Sequence, residues 1–143
     1  MKLTRFTDYA LRVLIYLGLR SDGRVTIREI SEAYGISRNH LMKVVSNLTR
    51  LGYLDARRGP GGGLMLARPA VQIKLADVIR DVEEDMNLVS CFGLEGQCTI
   101  KPVCRLRDAL REALSAYVHT LESYSLEDLL EPKKSVARLL HIS

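Results

Sequence analysis

The sequence predicts a mainly α-helical protein with one small β-hairpin: a winged helix-turn-helix domain followed by a long C-terminal dimerisation helix. Three observations carry this. Two short amphipathic segments meet at Gly35, a Gly-Pro-Gly-Gly-Gly run splits the alternating stretch "YLDARRGPGGGLMLARP", and an apolar stripe at helical spacing runs through "RLRDALREALSAYVHTLESYSLEDLL". Residues 1–74 are expected to form the DNA-binding domain, and 75–143 a cysteine loop with the dimerisation helix. At 47% hydrophobic and 27% charged, the 143-residue chain can bury a core. No stretch approaches the roughly 18 apolar residues that cross a bilayer. The apolar N-terminus is interrupted by Asp8 and Arg12 and lacks a small-residue cleavage site, so a cytoplasmic location is expected.

The elements follow in chain order. "TDYALRVLIYLGL" reads as an apolar helix that packs beneath the helix-turn-helix. In the next helix Ile27, Ile30, Ala33 and Tyr34 keep helical spacing, and Thr26 can cap its start. Gly35 tolerates the left-handed backbone that leaves a helix. Ser37 then caps a second helix with the apolar stripe Leu41, Val44, Val45, Leu48 and Leu51. Its other face carries Arg38, Asn39, Lys43, Ser46, Asn47 and Arg50. The pair matches a helix-turn-helix.

That polar face suits DNA. Arginine and lysine pair with guanine edges or phosphates, and asparagine bonds adenine in a bidentate way. The first residues of a recognition helix reach the bases, so Ser37, Arg38, Asn39, His40 and Lys43 are the expected DNA contacts. An isolated helix of this kind would be no more than an amphipathic helix with a hydrated face. The hairpin that follows turns the argument. Arg57 and Arg58 stand at its base, and a tip of Gly61, Gly62 and Gly63 can approach a phosphate backbone closely. A nucleotide-cradling loop would need a following Gly-Lys-Ser/Thr and a helix behind it, and neither is there. From Ile36 to Lys74 there are seven Lys or Arg against one acid, Asp55, whereas from Leu75 to Ile100 six acids face Arg80 alone. A basic block bounded this way is the footprint of a polyanion site.

"LADVIRDVEED" is read as a helix with Leu75, Val78, Ile79 and Val82 on one side. In the long C-terminal helix Leu106, Leu110, Ala113, Leu114, Tyr117, Leu121 and Tyr124 keep register. So long and one-sided a helix needs a partner surface, which a second copy supplies. The tail "EPKKSVARLLHIS" carries no signal.

The three cysteines, Cys91, Cys98 and Cys104, lie within fourteen positions, in a stretch kept irregular by Gly93, Gly96 and Pro102. In a reducing compartment they favour metal or redox chemistry over disulfides. Their spacing is wider than in zinc knuckles. Soft thiolates select zinc, copper(I) or iron–sulfur centres, and three of them leave a four-ligand cluster one donor short. The same cysteines could serve a redox, iron–sulfur-status or zinc-dependent winged-helix regulator. An iron–sulfur enzyme is disfavoured, because no acid–base or nucleophile constellation accompanies them.

Taken together, "LTRFTDYALRVLIYL", "YGISRNHLMKVVSNLTRLGYL", "RRGPGGGLMLARP" and "CFGLEGQCTIKPVCRL" resemble the NsrR-like, nitric-oxide-sensing repressors of the bacterial winged-helix family that includes the iron–sulfur regulator IscR. The resemblance runs nearly end to end. It implies a homodimeric, non-enzymatic repressor of nitric oxide detoxification genes with one iron–sulfur cluster per subunit, 4Fe–4S favoured and 2Fe–2S the alternative. Cys91, Cys98 and Cys104 would be ligands, and nitrosylation of the cluster would release operator DNA. IscR-like members place a ligating histidine where this chain has Arg107. NsrR-like members can use an aspartate near the start of the first helix, reaching across from the partner. Asp8 occupies that place; read without the resemblance, it is an acid favoured by the helix dipole.

Overall fold

A computed structural model describes residues 2–20, 23–93 and 98–142. The helices are α1 (Arg5–Leu19), α2 (Ile27–Tyr34), α3 (Arg38–Arg50), α4 (Leu75–Val82), α5 (Arg105–Glu122), α6 (Leu126–Leu129) and α7 (Lys133–Leu139). Strands β1 (Leu54–Arg57) and β2 (Gly63–Leu66) form the hairpin. No helix among the described residues is long and apolar enough to cross a membrane.

Local chemistry sets the boundaries. Thr4 caps α1, its hydroxyl accepting from the Thr7 amide. Thr26 and Glu29 form a reciprocal capping box at α2, satisfying amides that a helix start leaves without partners. Gly35 ends α2 at φ 64°, in the left-handed region where a side chain is strained. The Ser31 hydroxyl closes the turn by donating to the Ile36 carbonyl at 2.7 Å, and Ser37 caps α3 through the His40 amide.

The core forms where the apolar faces of α1, α2 and α3 meet. Ala10, Val13 and Leu14 of α1, Ile30 of α2, and Leu41, Val44 and Leu48 of α3 are fully buried. Each large aliphatic side chain among them contributes about 1.5–3 kcal/mol by leaving water. The wing hangs from this core. Leu54 pairs with Leu66 and Arg57 with Gly63 in an antiparallel register. Val25 adds an isolated antiparallel bridge to the hairpin, exchanging backbone hydrogen bonds with Leu64 at 2.9 and 2.7 Å. Tyr53, 2% exposed at the foot of the wing, donates its hydroxyl to Asp81 of α4 at 2.6 Å. Burial first, and then this carboxylate, push the phenol's pKa up.

Three features of the C-terminal part differ from the sequence expectation. The long helix ends at Glu122, so Tyr124 lies outside it. Ser125 opens the short α6, and Leu126 and Leu130 are buried with α1 and α4 residues in one cluster. The reversal is fixed by backbone hydrogen bonds from Leu126 to the Ile73 carbonyl and from Leu75 to the Tyr124 carbonyl, at 2.8 and 3.0 Å. The tail is structured too: α7 packs Val136 and Leu140 against the core. Its apolar residues are too few for periodicity to reveal, and the packing partners lie far away in sequence.

Candidate nucleic-acid interface and cysteine loop

The exposed start of α3 carries Ser37, Arg38, Asn39, His40 and Lys43, all solvent-accessible. Ser37 spends its hydroxyl oxygen on the His40 amide at 3.3 Å. The His40 ring lies 6.2 Å from that of Tyr9 on α1. Asn47, expected on the polar face, is half-buried with its side-chain oxygen enclosed and lacking a hydrogen-bond partner among the described residues. Met42, outside the polar face expected from the sequence, is 56% exposed on the same helix. Its position off the stripe Leu41, Val44, Val45 and Leu48 is the sequence signal for that exposure.

The wing stands beside this helix. Arg57 and Arg58 are exposed, and a groove of ≈ 780 Å³ separates them from Met42, Ser46 and Thr49 of α3. The N-terminal residues Thr26 and Ile27 of α2 border the same groove. Ser46 and Thr49 of α3, the two arginines and Gly62 and Gly63 thus line one groove, whereas Ser37, Arg38, Asn39, His40, Lys43 and Gly61 do not border it. Gly61 adopts φ 71° and Gly63 φ 131°. Gly62 is required for space: a Cβ there would run into the Arg57 carbonyl and stand 2.7 Å from the Gly59 carbonyl. The glycines are therefore needed to form the turn itself.

Electrostatics around the interface are local. Arg24 donates to Asp55 at 2.6 Å, a hydrogen bond that holds the Asp55 carboxyl below its ordinary value. The Thr26 amide lowers Glu29 in the capping box, and burial raises Tyr34 to about 12.

The cysteines lie on the connection from α4 to α5, with Gly96 of that stretch outside the described residues. Cys91 sits in the single turn Ser90–Phe92 and is half-buried, Cys98 is exposed, and half-buried Cys104 caps α5 by accepting from the Arg107 amide at 3.4 Å. All three are free thiols. The Arg111 guanidinium stands 5.9 Å from the centre of the Phe92 ring, tying the Cys91 turn to α5. Among the described residues no group of three or more His, Cys, Asp or Glu is drawn together as a metal site. The donor set still fits an anionic thiolate-bound cluster. It offers three free soft donors, one of them at a helix N-terminus that favours negative charge, and Arg107 in that first turn keeps a buried Nε without a hydrogen-bond partner among the described residues. Asp8 lies elsewhere, in the first turn of α1, paired with Arg12 at 2.9 Å and 46% exposed. Among the described residues it forms no metal-binding group with the cysteines.

Comparison with known proteins agrees with this architecture. A family model described as Rrf2, iron-dependent transcriptional regulator, matches residues 3–132. The chain is 46% identical over 142 residues to the HTH-type transcriptional regulator NsrR of Bacillus subtilis, covering 98% of this chain and 97% of that protein. The NsrR of Geobacillus kaustophilus gives the same identity and coverage, 46%, 98% and 97%. Among solved structures, CymR, the global cysteine regulator of B. subtilis, superposes with a TM-score of 0.65 at 29% identity, covering 90% of this chain and 95% of that one. T. potens IscR shares the fold with a TM-score of 0.74 at 23% identity, over 95% and 90% of the two chains.

Proposed function

From the premise that this chain belongs to the Rrf2 family of transcriptional regulators, we propose that it is a repressor that binds operator DNA as a homodimer and senses nitric oxide through an iron–sulfur cluster. Residues 1–74 read the DNA, and 75–143 supply the sensor and the dimer contact. The observation that carries the reading is the cysteine loop: three free thiols, with Cys104 at the N-terminus of α5 and, in the same turn, an Arg107 Nε that has no hydrogen-bond partner among the described residues. Cys91, Cys98 and Cys104 hold the cluster, 4Fe–4S rather than 2Fe–2S, and Asp8 of the partner subunit completes the ligand set. When bound, the cluster supplies iron with affinity for nitric oxide.

The chain's own residues do the rest. Helix α5 supports the dimer, since it has 18 residues of which none is buried, and Leu106 is 66% exposed. A covering second copy would remove that apolar face from water and set the two recognition helices at a fixed spacing. Asp8 adjoins Tyr9, whose ring meets His40 at the start of α3. Whatever holds or frees Asp8 therefore acts beside the DNA-reading residues. A carboxylate is a hard donor among soft ones and the easiest of the four to displace. Ser37, Arg38, Asn39, His40 and Lys43 face the bases, while Arg57, Arg58 and the tip Gly61–Gly63 follow the phosphates.

The test is anaerobic purification followed by nitric oxide titration, with the visible spectrum and operator binding read in one sample. The expected result is a coloured protein whose cluster absorption bleaches as DNA is released. A colourless, zinc-containing protein that binds DNA regardless of nitric oxide would overturn the sensor and leave a zinc- or redox-dependent regulator on the same cysteines.

A further inference from the structure

Asp55 is the one acid in the basic block from Ile36 to Lys74, and it sits on the wing. A carboxylate there opposes phosphate binding unless something neutralises it. Its Oδ2 takes a hydrogen bond from Arg24 Nη2 at 2.6 Å, and Arg57 Nε stands 3.7 Å from the same oxygen. The other arm of Arg24, Nη1, donates to the Gly63 carbonyl at 3.0 Å. One guanidinium from outside the wing thus grips both strands, using a planar fork that lysine lacks. Arg24 is fixed for this task. Its side chain is only 15% exposed against 71% for Arg57, and its neighbour Val25 is paired to Leu64 through two backbone hydrogen bonds.

We propose that Arg24 is a positioning residue for DNA binding: it clamps Asp55 and the Gly63 carbonyl so that the wing keeps its place, and by holding the Asp55 carboxylate at hydrogen-bond distance it leaves Arg57 only a longer, 3.7 Å ion contact. Without Arg24, Asp55 turns to the nearest remaining cation. An arginine drawn from a loose 3.7 Å contact into a hydrogen-bonded pair within the protein displaces fewer counterions when it meets DNA. The inference rests on the wing arginines touching phosphate.

The experiment measures the affinity of the full chain for a fluorescein-labelled, mixed-sequence duplex of about three helical turns over a range of salt concentrations. Arg24→Gln is expected to bind more weakly, with the slope of log affinity against log salt shallower by about 1 per wing. Adding Asp55→Asn to it should return the slope to that of the parent protein. Arg24→Lys, which still neutralises Asp55, should stay near the parent slope, and it replaces Arg24→Gln if circular dichroism shows that variant unfolded. A parent-like slope for folded Arg24→Gln, a double variant as shallow as the single one, or a shallow Arg24→Lys would overturn the proposal. Arg57→Gln separates the two levels. An unchanged slope there defeats the wing contact itself and the proposal with it. A shallower slope there beside an unchanged Arg24→Gln defeats only the role of Arg24.

Discussion

Thr4 and Glu83, 79 positions apart, meet at the N-terminus of α1: the backbone amide and the hydroxyl of Thr4 both donate to Glu83 Oε1, at 2.7 and 3.2 Å. The residue that caps α1 is therefore tied to the residue that ends α4, just before the cysteine loop begins. Glu83→Ala removes both bonds and is expected to lower stability by about 1 kcal/mol, within the usual range for net hydrogen bonds at a partly exposed site. Thermal melts of the apo protein check this, and a melting point equal to the parent's would show the contact to be idle.

Gly62→Ala is expected to disrupt the wing, because the added methyl meets the Arg57 and Gly59 carbonyls, which cannot move without reopening the turn. Overpacking against backbone costs about 1–3 kcal/mol. DNA affinity should fall while the far-ultraviolet dichroism stays helical. Unchanged affinity would separate the glycine tip from DNA binding.

Arg38→Ala should cost about 1–3 kcal/mol in operator binding and much less on mixed-sequence DNA, as expected for a base contact. The residue is exposed at the start of α3, so the melting point should hold. Equal losses on both DNAs would reassign it to phosphate.

Asp8→Ala distinguishes a ligand from a helix-dipole residue. Loss of its exposed pairing with Arg12 alone costs about 0.3–0.5 kcal/mol. Ligation predicts more: altered iron content and visible spectrum after anaerobic purification, and a changed nitric oxide response. A variant with the parent's spectrum and iron would leave only the dipole role.

Glu29 predicts a pH dependence. Its carboxyl is held below the ordinary value, chiefly by the hydrogen bond from the Thr26 amide. A depressed folded value means that stability is fully present above the unfolded carboxyl value of about 4.3 and is lost as pH falls through the folded one. Glu29→Gln should melt below the parent at pH 7, and the gap should narrow as pH falls below the unfolded carboxyl value. A gap that persists in acid would place the contribution outside ionisation.

Much of the protein is legible without tertiary information, because the relevant physics is local. Caps at Thr26 and Ser37, the left-handed exit at Gly35, and the stripe Leu41, Val44, Val45 and Leu48 depend on near neighbours in the chain, and each sits where helical spacing and side-chain chemistry demand. The glycine turn between two strands and the basic block are local in the same sense. What only the tertiary structure decided involves residues distant in sequence. That Asp55 is answered by Arg24, that Thr4 is held by Glu83, and that Leu126 and Leu130 return to the core follow from packing of separate segments. The end of α5 at Glu122 belongs here too, since apolar spacing runs on unbroken through Tyr124, and the chain is turned back by the hydrogen bonds from Leu126 to the Ile73 carbonyl and from the Leu75 amide to the Tyr124 carbonyl. Periodicity records which face of a segment seeks burial; the partner that covers it is set by the fold as a whole.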